Sequence, residues 1–236
     1  PPPPGSCNIP TDKHGIVITS SGAGFSVITE GDAQISASTI FRSIHVGGEF
    51  TTNADFPFYM QTFNALQKGP QSYVGGGFNV SDPDHVRFGG RHDLDPRTDG
   101  PEFVWSEFVS LAQALSYCGE SGCVYGSGAK TKYVYAIDQG GVSPADAGDN
   151  GCWKSYCSKD IAPAQNNKED KGNTLIIFLG AGTVCLTETC RETSDKIKWG
   201  PSVLAPFARV VLGVDVGHFD GCLWSKSIGD HFGKTN

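Results

Sequence analysis

A short element with two adjacent glycines recurs in the first half of the chain, and it limits the folds that the sequence can adopt. Its copies are Val46–Phe50 (VGGEF), Val74–Phe78 (VGGGF) and Val86–Gly90 (VRFGG), which spaces Gly48, Gly76 and Gly90 by 28 and 14 residues. Glycine at the end of a short strand tolerates a positive φ or a close approach of neighbouring backbone. The recurrence therefore indicates either the corners of successive coils in a β-solenoid or the turns of a β-sandwich, and periodicity alone leaves both open.

The composition narrows the class of protein further. Glycine makes up 31 of the 236 residues, only 18% of the residues are charged, and the net charge is −7. An acidic chain without a basic patch cannot displace counterions from nucleic acid, so we expect no nucleic-acid partner. The longest uncharged apolar run, Leu175–Leu186, has 12 residues. Because a spanning helix needs roughly 20, we expect no membrane insertion by this segment.

Short β-branched and aromatic runs, bounded by Gly, Ser, Thr or Asp, predict strands over most of the chain. They are residues 16–18, 25–28, 40–46, 132–137, 174–178, 183–186, 196–199, 202–204, 208–212 and 222–225. Strands of this length and number predict a mainly β fold.

One segment, Pro101–Tyr117, has the pattern of an amphipathic helix instead. Its apolar residues recur at helical spacing: Val104, Phe108, Leu111 and Leu115. We expect Asp99 to cap this helix and Pro101 to occupy its first turn. The apolar stripe must be buried, most simply along the side of the β structure.

The eight cysteines indicate the compartment. Three pairs have Cys-x4-Cys spacing and two cysteines lie near the ends: Cys118 and Cys123, Cys152 and Cys157, Cys185 and Cys190, with Cys7 and Cys222. An even number in an acidic chain with one methionine is typical of disulfides formed in an oxidising compartment, whereas zinc sites favour Cys-x2-Cys spacing. We therefore expect an extracellular or cell-surface protein. Pairing within each Cys-x4-Cys, plus Cys7 with Cys222, is the simplest of many allowed connectivities.

Three further expectations concern the organisation of the chain. Residues 1–14, which begin with the polyproline run PPPPG, are predicted to be a Pro-rich linker and N-terminal segment of a larger protein. Residues 15–236 are predicted to form one β domain, with a disulfide-stapled, cysteine-rich insertion at residues 118–172. Asn79, in the tripeptide Asn-Val-Ser, is a candidate glycosylation site.

Several segments resemble a known family, the choice-of-anchor A domain. The matching segments are Phe25–Asp32 (FSVITEGD), Ile40–Phe50 (IFRSIHVGGEF), Ser202–Val210 (SVLAPFARV), Phe219–Ile228 (FDGCLWSKSI) and Gly229–Phe232 (GDHF). They are similar to the family's opening "GD" strand, its "V-x-V-G-G-x" variations, its "LAP" corner and its closing coil. The resemblance extends over roughly residues 16–232.

The resemblance implies both a fold and a role. The implied fold is a right-handed parallel β-helix, or solenoid, with one long α-helix along its flank. Members of the family are secreted or surface-displayed modules that look like adhesion or matrix components, without catalytic residues to carry over. The cysteine-rich segment at residues 118–172 departs from the family pattern, which puts any shared binding surface in doubt.

Two groups of charged residues are candidates for a functional site. Closely spaced aspartates are calcium ligand candidates, although turn formation and helix capping account for them better: Asp82, Asp84, Asp93, Asp95 and Asp99. Four arginines are candidates for the proton-abstracting face of a polysaccharide lyase: Arg42, Arg87, Arg91 and Arg97. No histidine pair has the spacing of a helical zinc site.

We therefore expect a non-enzymatic extracellular adhesion or structural module, part of a larger surface or matrix protein, that self-associates into filaments or a matrix. Its expected partners are further copies of itself, other matrix or surface proteins, or glycans. No cofactor is expected, with calcium as the one candidate metal. The alternative function is a β-helix that binds polysaccharide or cleaves it as a lyase.

Overall fold

The computed structural model of the chain describes residues 11–12, 15–16, 25–35, 39–40, 43–52, 60–62, 72–80, 86–88, 103–128, 131–139, 154–162, 173–187, 198–213, 216, 218–219 and 221–232. Within these residues the strands are β1 Thr11–Asp12, β2 Gly15–Ile16, β3 Phe25–Thr29, β4 Ala33–Gln34, β5 Thr39–Ile40, β6 Ser43–Val46, β7 Phe50–Thr52, β8 Met60–Thr62, β9 Tyr73–Val74, β10 Phe78–Val80, β11 Val86–Phe88, β12 Cys123–Tyr125, β13 Lys132–Ile137, β14 Ser155–Cys157, β15 Thr174–Phe178, β16 Gly182–Thr187, β17 Lys198–Trp199, β18 Ser202–Gly213, β19 His218–Phe219 and β20 Leu223–Phe232. The helices are α1 Trp105–Ala114 and α2 Ser158–Ile161. The prediction of a mainly β fold is confirmed.

Thirteen of the described strands form one sheet, in which neighbouring strands are almost all parallel. Its path runs β10, β7, β4, β20, β18, β15, β13 and β12, and the other members join from the side. Within this sheet, as far as the structure describes it, β12 and β13 are the one antiparallel pair. Parallel neighbours cannot be joined by a tight hairpin, so a longer connecting segment must separate paired strands that follow each other in the chain.

In the N-terminal part the chain passes the same three ladders in the same order three times. β3, β6 and β9 form the first ladder, and β4, β7 and β10 form the second. β5, β8 and β11 form the third, as a separate three-stranded sheet. The aromatic rings of Phe50 and Phe78 stack in the second ladder, with centroids 5.5 Å apart.

The last described strand, β20, joins the N-terminal and C-terminal halves of the sheet. It pairs with β18 on one side and with β3 and β4 on the other, in parallel throughout. Leu204, Trp224 and Ile28 are therefore aligned across three neighbouring strands. The two halves of the chain form one continuous stack, with β20 between them.

The glycine pairs stack where the first ladder turns into the second. The N–H of Gly76 donates to the carbonyl of Gly48 at 2.9 Å, and the N–H of Gly48 donates to the carbonyl of Gly31 at 3.1 Å. A Cβ on Gly76 would lie 2.6 Å from the carbonyl carbon of Gly48, so a larger residue does not fit. The third copy of the glycine element differs from the first two. Its residues Val86–Phe88 form strand β11, which pairs with Met60–Thr62 in the third ladder.

Two hydrophobic clusters lie on opposite sides of the first ladder. Because strand side chains alternate between faces, Val27 belongs to one cluster and its neighbour Ile28 to the other. The first cluster also includes Val203 and Ile176. The second includes Phe108, Ala112 and Leu115 of the helix region together with strand residues, so Phe108 and Leu115 of the predicted apolar stripe are buried against the β structure.

The start of the helix differs from the prediction. α1 begins at Trp105, and its N-cap is Val104, which has extended backbone and forms no side-chain capping bond. Phe103, just before the helix, packs edge-on against Phe25, with centroids 5.6 Å apart. The prediction that Asp99 caps the helix was therefore wrong. The side chain of Val104 is 59% exposed rather than part of the buried stripe.

Part of the segment at residues 118–172 is built into the sheet. β13 pairs in parallel with β15, and β14 pairs in parallel with β16. Only β12, which lies antiparallel against β13, departs from the stack among the described strands of this segment. Because this polar segment contains few strand signals, these pairings were not predicted from the sequence. No helix in the described part of the chain is long and apolar enough to cross a membrane.

Candidate functional site

An aromatic cleft of about 220 Å³ opens where the start of α1 meets the turn after β3. We call it the corner cleft. Three separate parts of the chain line it: Thr29 and Glu30, then His45, Gly47 and Tyr73, then Phe103 and Trp105. The parallel register brings the second group together, because His45 pairs with Tyr73 in the neighbouring strand.

Three aromatic side chains surround the buried ring of His45. His45 is only 5% exposed. Its ring lies tilted against that of Tyr73, with centroids 4.5 Å apart, and the ring of Phe103 meets it edge-on at 4.4 Å. Phe25 approaches His45 from a third side at 5.9 Å. Rings packed in this way cannot rotate freely, so the wall of the corner cleft is fixed before any ligand enters.

Trp105 is held in place from two directions. Its Nε1 donates to the carbonyl oxygen of Pro206 at 3.3 Å, which ties the helix start to strand β18. Its indole stacks on the ring of Phe108, with centroids 4.8 Å apart and an angle of 25° between the planes. The side chain of Trp105 is half-buried and lines the corner cleft.

Two of the donors that line the corner cleft are already used within the protein. The hydroxyl of Thr29 donates to the carbonyl of Gly31 at 2.8 Å, and the N–H of Gly47 donates to the carbonyl of Thr29 at 3.0 Å. Glu30 is exposed and contributes a carboxylate at the rim. The hydroxyl of Tyr73 lies close to Gly75, where a Cβ would be 2.8 Å from it. The cleft therefore combines aromatic faces with one negative charge.

None of the residues that line the corner cleft was among the site residues predicted from the sequence. None of the calcium candidates, Asp82, Asp84, Asp93, Asp95 and Asp99, is among the described residues, and nor are Arg42, Arg91 and Arg97. Arg87 lies on β11, where its side chain is not described. Within the described ranges no cluster of three or more His, Cys, Asp or Glu side chains could hold a metal ion. Asn79 is exposed on β10, as a glycan acceptor must be.

The cysteines agree in part with the simplest connectivity. Cys118 and Cys123 are bonded, as the spacing predicted, and their Cα atoms lie 5.1 Å apart. Cys157 and Cys185 each take part in a disulfide as well. Cys222 is a buried thiol, so the structure does not show the predicted bond from Cys7 to Cys222. Cys7, Cys152 and Cys190 lie outside the described residues.

Comparisons of this chain with protein-family models, with curated proteins and with solved structures found no match.

One electrostatic prediction concerns Tyr156 on β14, away from the corner cleft. Burial raises the pKa of its hydroxyl above the ordinary 10.0, and the negative charge of Glu120 raises this pKa further. Because the folded state favours the protonated form, this contribution to stability is complete below pH 10 and is lost as the pH rises through the raised pKa. We expect Glu120→Gln to lower the pKa of Tyr156, seen as earlier tyrosinate absorbance in an alkaline titration.

Glu107, an exposed residue of α1, provides the matched control for this titration. Glu107→Gln removes the same charge without the named interaction, so its titration curve should match that of the wild type. Equal curves for Glu120→Gln and Glu107→Gln would contradict the assigned role of Glu120.

Proposed function

We propose that the chain is a right-handed parallel β-solenoid of the choice-of-anchor A kind, and that it acts as a non-enzymatic extracellular adhesion or structural module. The observation that carries this proposal is the triple passage of the chain through three parallel ladders in one order. Repeated passage with stacked corners is the arrangement from which solenoids are built. Such a stack presents long, regular outer faces, which suit a structural element better than a single catalytic pocket does.

The disulfides support an extracellular location. Cys118, Cys123, Cys157 and Cys185 are all bonded. Disulfides persist in oxidising compartments and are rare in the cytosol. A bonded pair next to β12, at one end of the stack, would also restrict fraying of the strands there.

The two ends of the stack differ, and this difference supports self-association. At one end the outermost described strands are β14, which is parallel to β16, and β12, which runs antiparallel to β13. At the other end, in the part of the chain that the structure describes, β9, β10 and β11 each pair on one side only. Parallel edge strands are templates for strand addition by another chain. We infer that copies associate through this end to form filaments or a matrix, as part of a larger surface protein.

Analytical ultracentrifugation over a wide concentration range tests the self-association. We expect reversible oligomers, and we expect Asn79→Lys on β10 to raise the concentration at half-association at least about tenfold, because a charge on an edge strand opposes docking. Thr51→Lys is the matched control, since Thr51 pairs with Asn79 but lies on β7, one strand further in. A wild-type protein that stays monomeric at every concentration would refute the self-association.

A further inference from the structure

We infer that the corner cleft binds an organic cation, namely an ammonium group carried on a short alkyl stem. This inference concerns the lining of the cleft alone and does not depend on self-association at the end of the stack. It rests on three properties of the cleft, which are its aromatic faces, its polar groups and its size.

The aromatic faces provide the first argument. Tyr73 and Trp105 are half-buried, and each has one ring face covered, by His45 and by Phe108 respectively. The negative face of an aromatic ring attracts a cation placed above it, and tryptophan and tyrosine do so most strongly. Partly exposed aromatic rings on two sides of one small cleft are the arrangement that such cations occupy.

The polar groups provide the second argument, because they favour a positively charged ligand. The hydroxyl of Thr29 and the N–H of Gly47 donate to backbone carbonyls, and Nε1 of Trp105 donates to Pro206. What remains for a ligand is the carboxylate of Glu30 and the hydroxyl of Tyr73, which can donate or accept. A neutral sugar would need more donors for its several hydroxyl groups than this one hydroxyl supplies, and an anion would be repelled by Glu30. A cation is satisfied by acceptors and aromatic faces alone.

The size of the cleft provides the third argument. A volume of about 220 Å³ lies below the roughly 300–1,000 Å³ of sites for drug-sized ligands. It accommodates a single head group rather than an extended chain. The hydrogen bond from Trp105 to Pro206 and the ring packing around His45 preorganise the walls of the cleft. Little conformational entropy is therefore lost when a ligand binds.

Titration with choline, followed by NMR and isothermal calorimetry, tests this inference on the full chain. We expect choline to bind at least about tenfold more tightly than neohexyl alcohol, its uncharged carbon isostere. A rise from low salt to about 1 M salt should weaken choline binding, because the Debye length falls from tens of ångströms to about 3 Å. Glucose, tested in the same way, is expected not to bind.

Variants locate the binding in the corner cleft. Glu30→Gln keeps the shape of an exposed side chain and removes its charge, so it should fold normally and weaken choline binding at least about fivefold. Glu120→Gln removes one negative charge far along the chain, and it should leave choline affinity unchanged. Tyr73→Leu should weaken choline binding by a similar factor, with near-ultraviolet circular dichroism to confirm folding.

Three results would overturn the inference. Equal affinities for choline and neohexyl alcohol would mean that the cleft is merely apolar. Equal effects of Glu30→Gln and Glu120→Gln would place the binding elsewhere or make it non-specific. Binding of glucose in preference to choline would identify a glycan site instead. None of these results bears on the oligomeric state, so failure here and failure of the proposed self-association are distinguishable.

Discussion

Replacement of Trp224 by alanine is expected to lower the free energy of unfolding by about 3–5 kcal/mol. Trp224 is completely buried in the second hydrophobic cluster, where it lies in register between Leu204 and Ile28. Its removal would leave a large cavity at the position where β20 joins the two halves of the sheet. The strands on both sides are fixed by backbone hydrogen bonds, so the structure cannot collapse to fill the space.

Chemical denaturation of Trp224→Ala and the wild type, followed by far-ultraviolet circular dichroism, measures this loss. Trp224→Phe is the informative control. It keeps an aromatic ring, and it removes a buried indole N–H for which the described residues provide no hydrogen-bond partner. Because an unsatisfied buried donor costs about 1–3 kcal/mol, its removal offsets part of the lost packing, and the phenylalanine variant should lose less than half as much stability. A loss of less than about 1 kcal/mol for the alanine variant would contradict the assigned packing.

The second large effect is expected at an exposed glycine. Gly76→Ala should destabilise the fold by about 1–3 kcal/mol or more, because the added methyl group overlaps backbone rather than a side chain that can move. The nearest atoms to a Cβ at this position belong to Gly48 and Glu49, at 2.6 to 2.8 Å. Relief of the overlap would require the two stacked corners to separate, which would break the hydrogen bond from Gly76 to Gly48.

The adjacent Gly77 provides a matched control for this substitution. A Cβ there would meet only the side chain of Glu49, at an ordinary contact distance of 3.5 Å. Gly77→Ala should therefore be neutral, or stabilising by about 0.4–1 kcal/mol because it restricts the unfolded chain. Thermal unfolding of the two variants tests the difference. Similar melting temperatures for both would mean that the corners do not stack as described.

The local features of the fold were accessible from the sequence, because each has a local physical cause. The strands at residues 174–178 and 25–29 were predicted nearly to the residue, since β-branched and aromatic residues dominate them. The glycine pairs at Gly47 and Gly75 were predicted to be either the corners of a solenoid or the turns of a sandwich. Glycine is required at these positions because neighbouring backbone approaches closely. A positive φ is not the reason, since none of these glycines is among the residues with positive φ.

The long-range features could not be deduced in the same way. No local signal predicts that β20 pairs with β3, because this pairing depends on the register of the whole stack. The third ladder consists of strands of two or three residues, too short for periodicity to detect. The corner cleft was missed because its lining comes from three distant segments, although Tyr73 and Trp105 are both visible in the sequence as aromatic residues next to strand or helix boundaries.

The position of β20 determines when this protein can finish folding. β3 and β4 are synthesised early, yet their neighbour on one side is the last described strand along the chain. At roughly 5–20 residues per second, a ribosome needs about 10–40 s to reach it, and during that time one edge of the N-terminal strands lacks its native partner. The stack therefore cannot be completed before β20 has been synthesised, and loss of β20 would leave two incomplete half-stacks with unprotected edges, prone to aggregation.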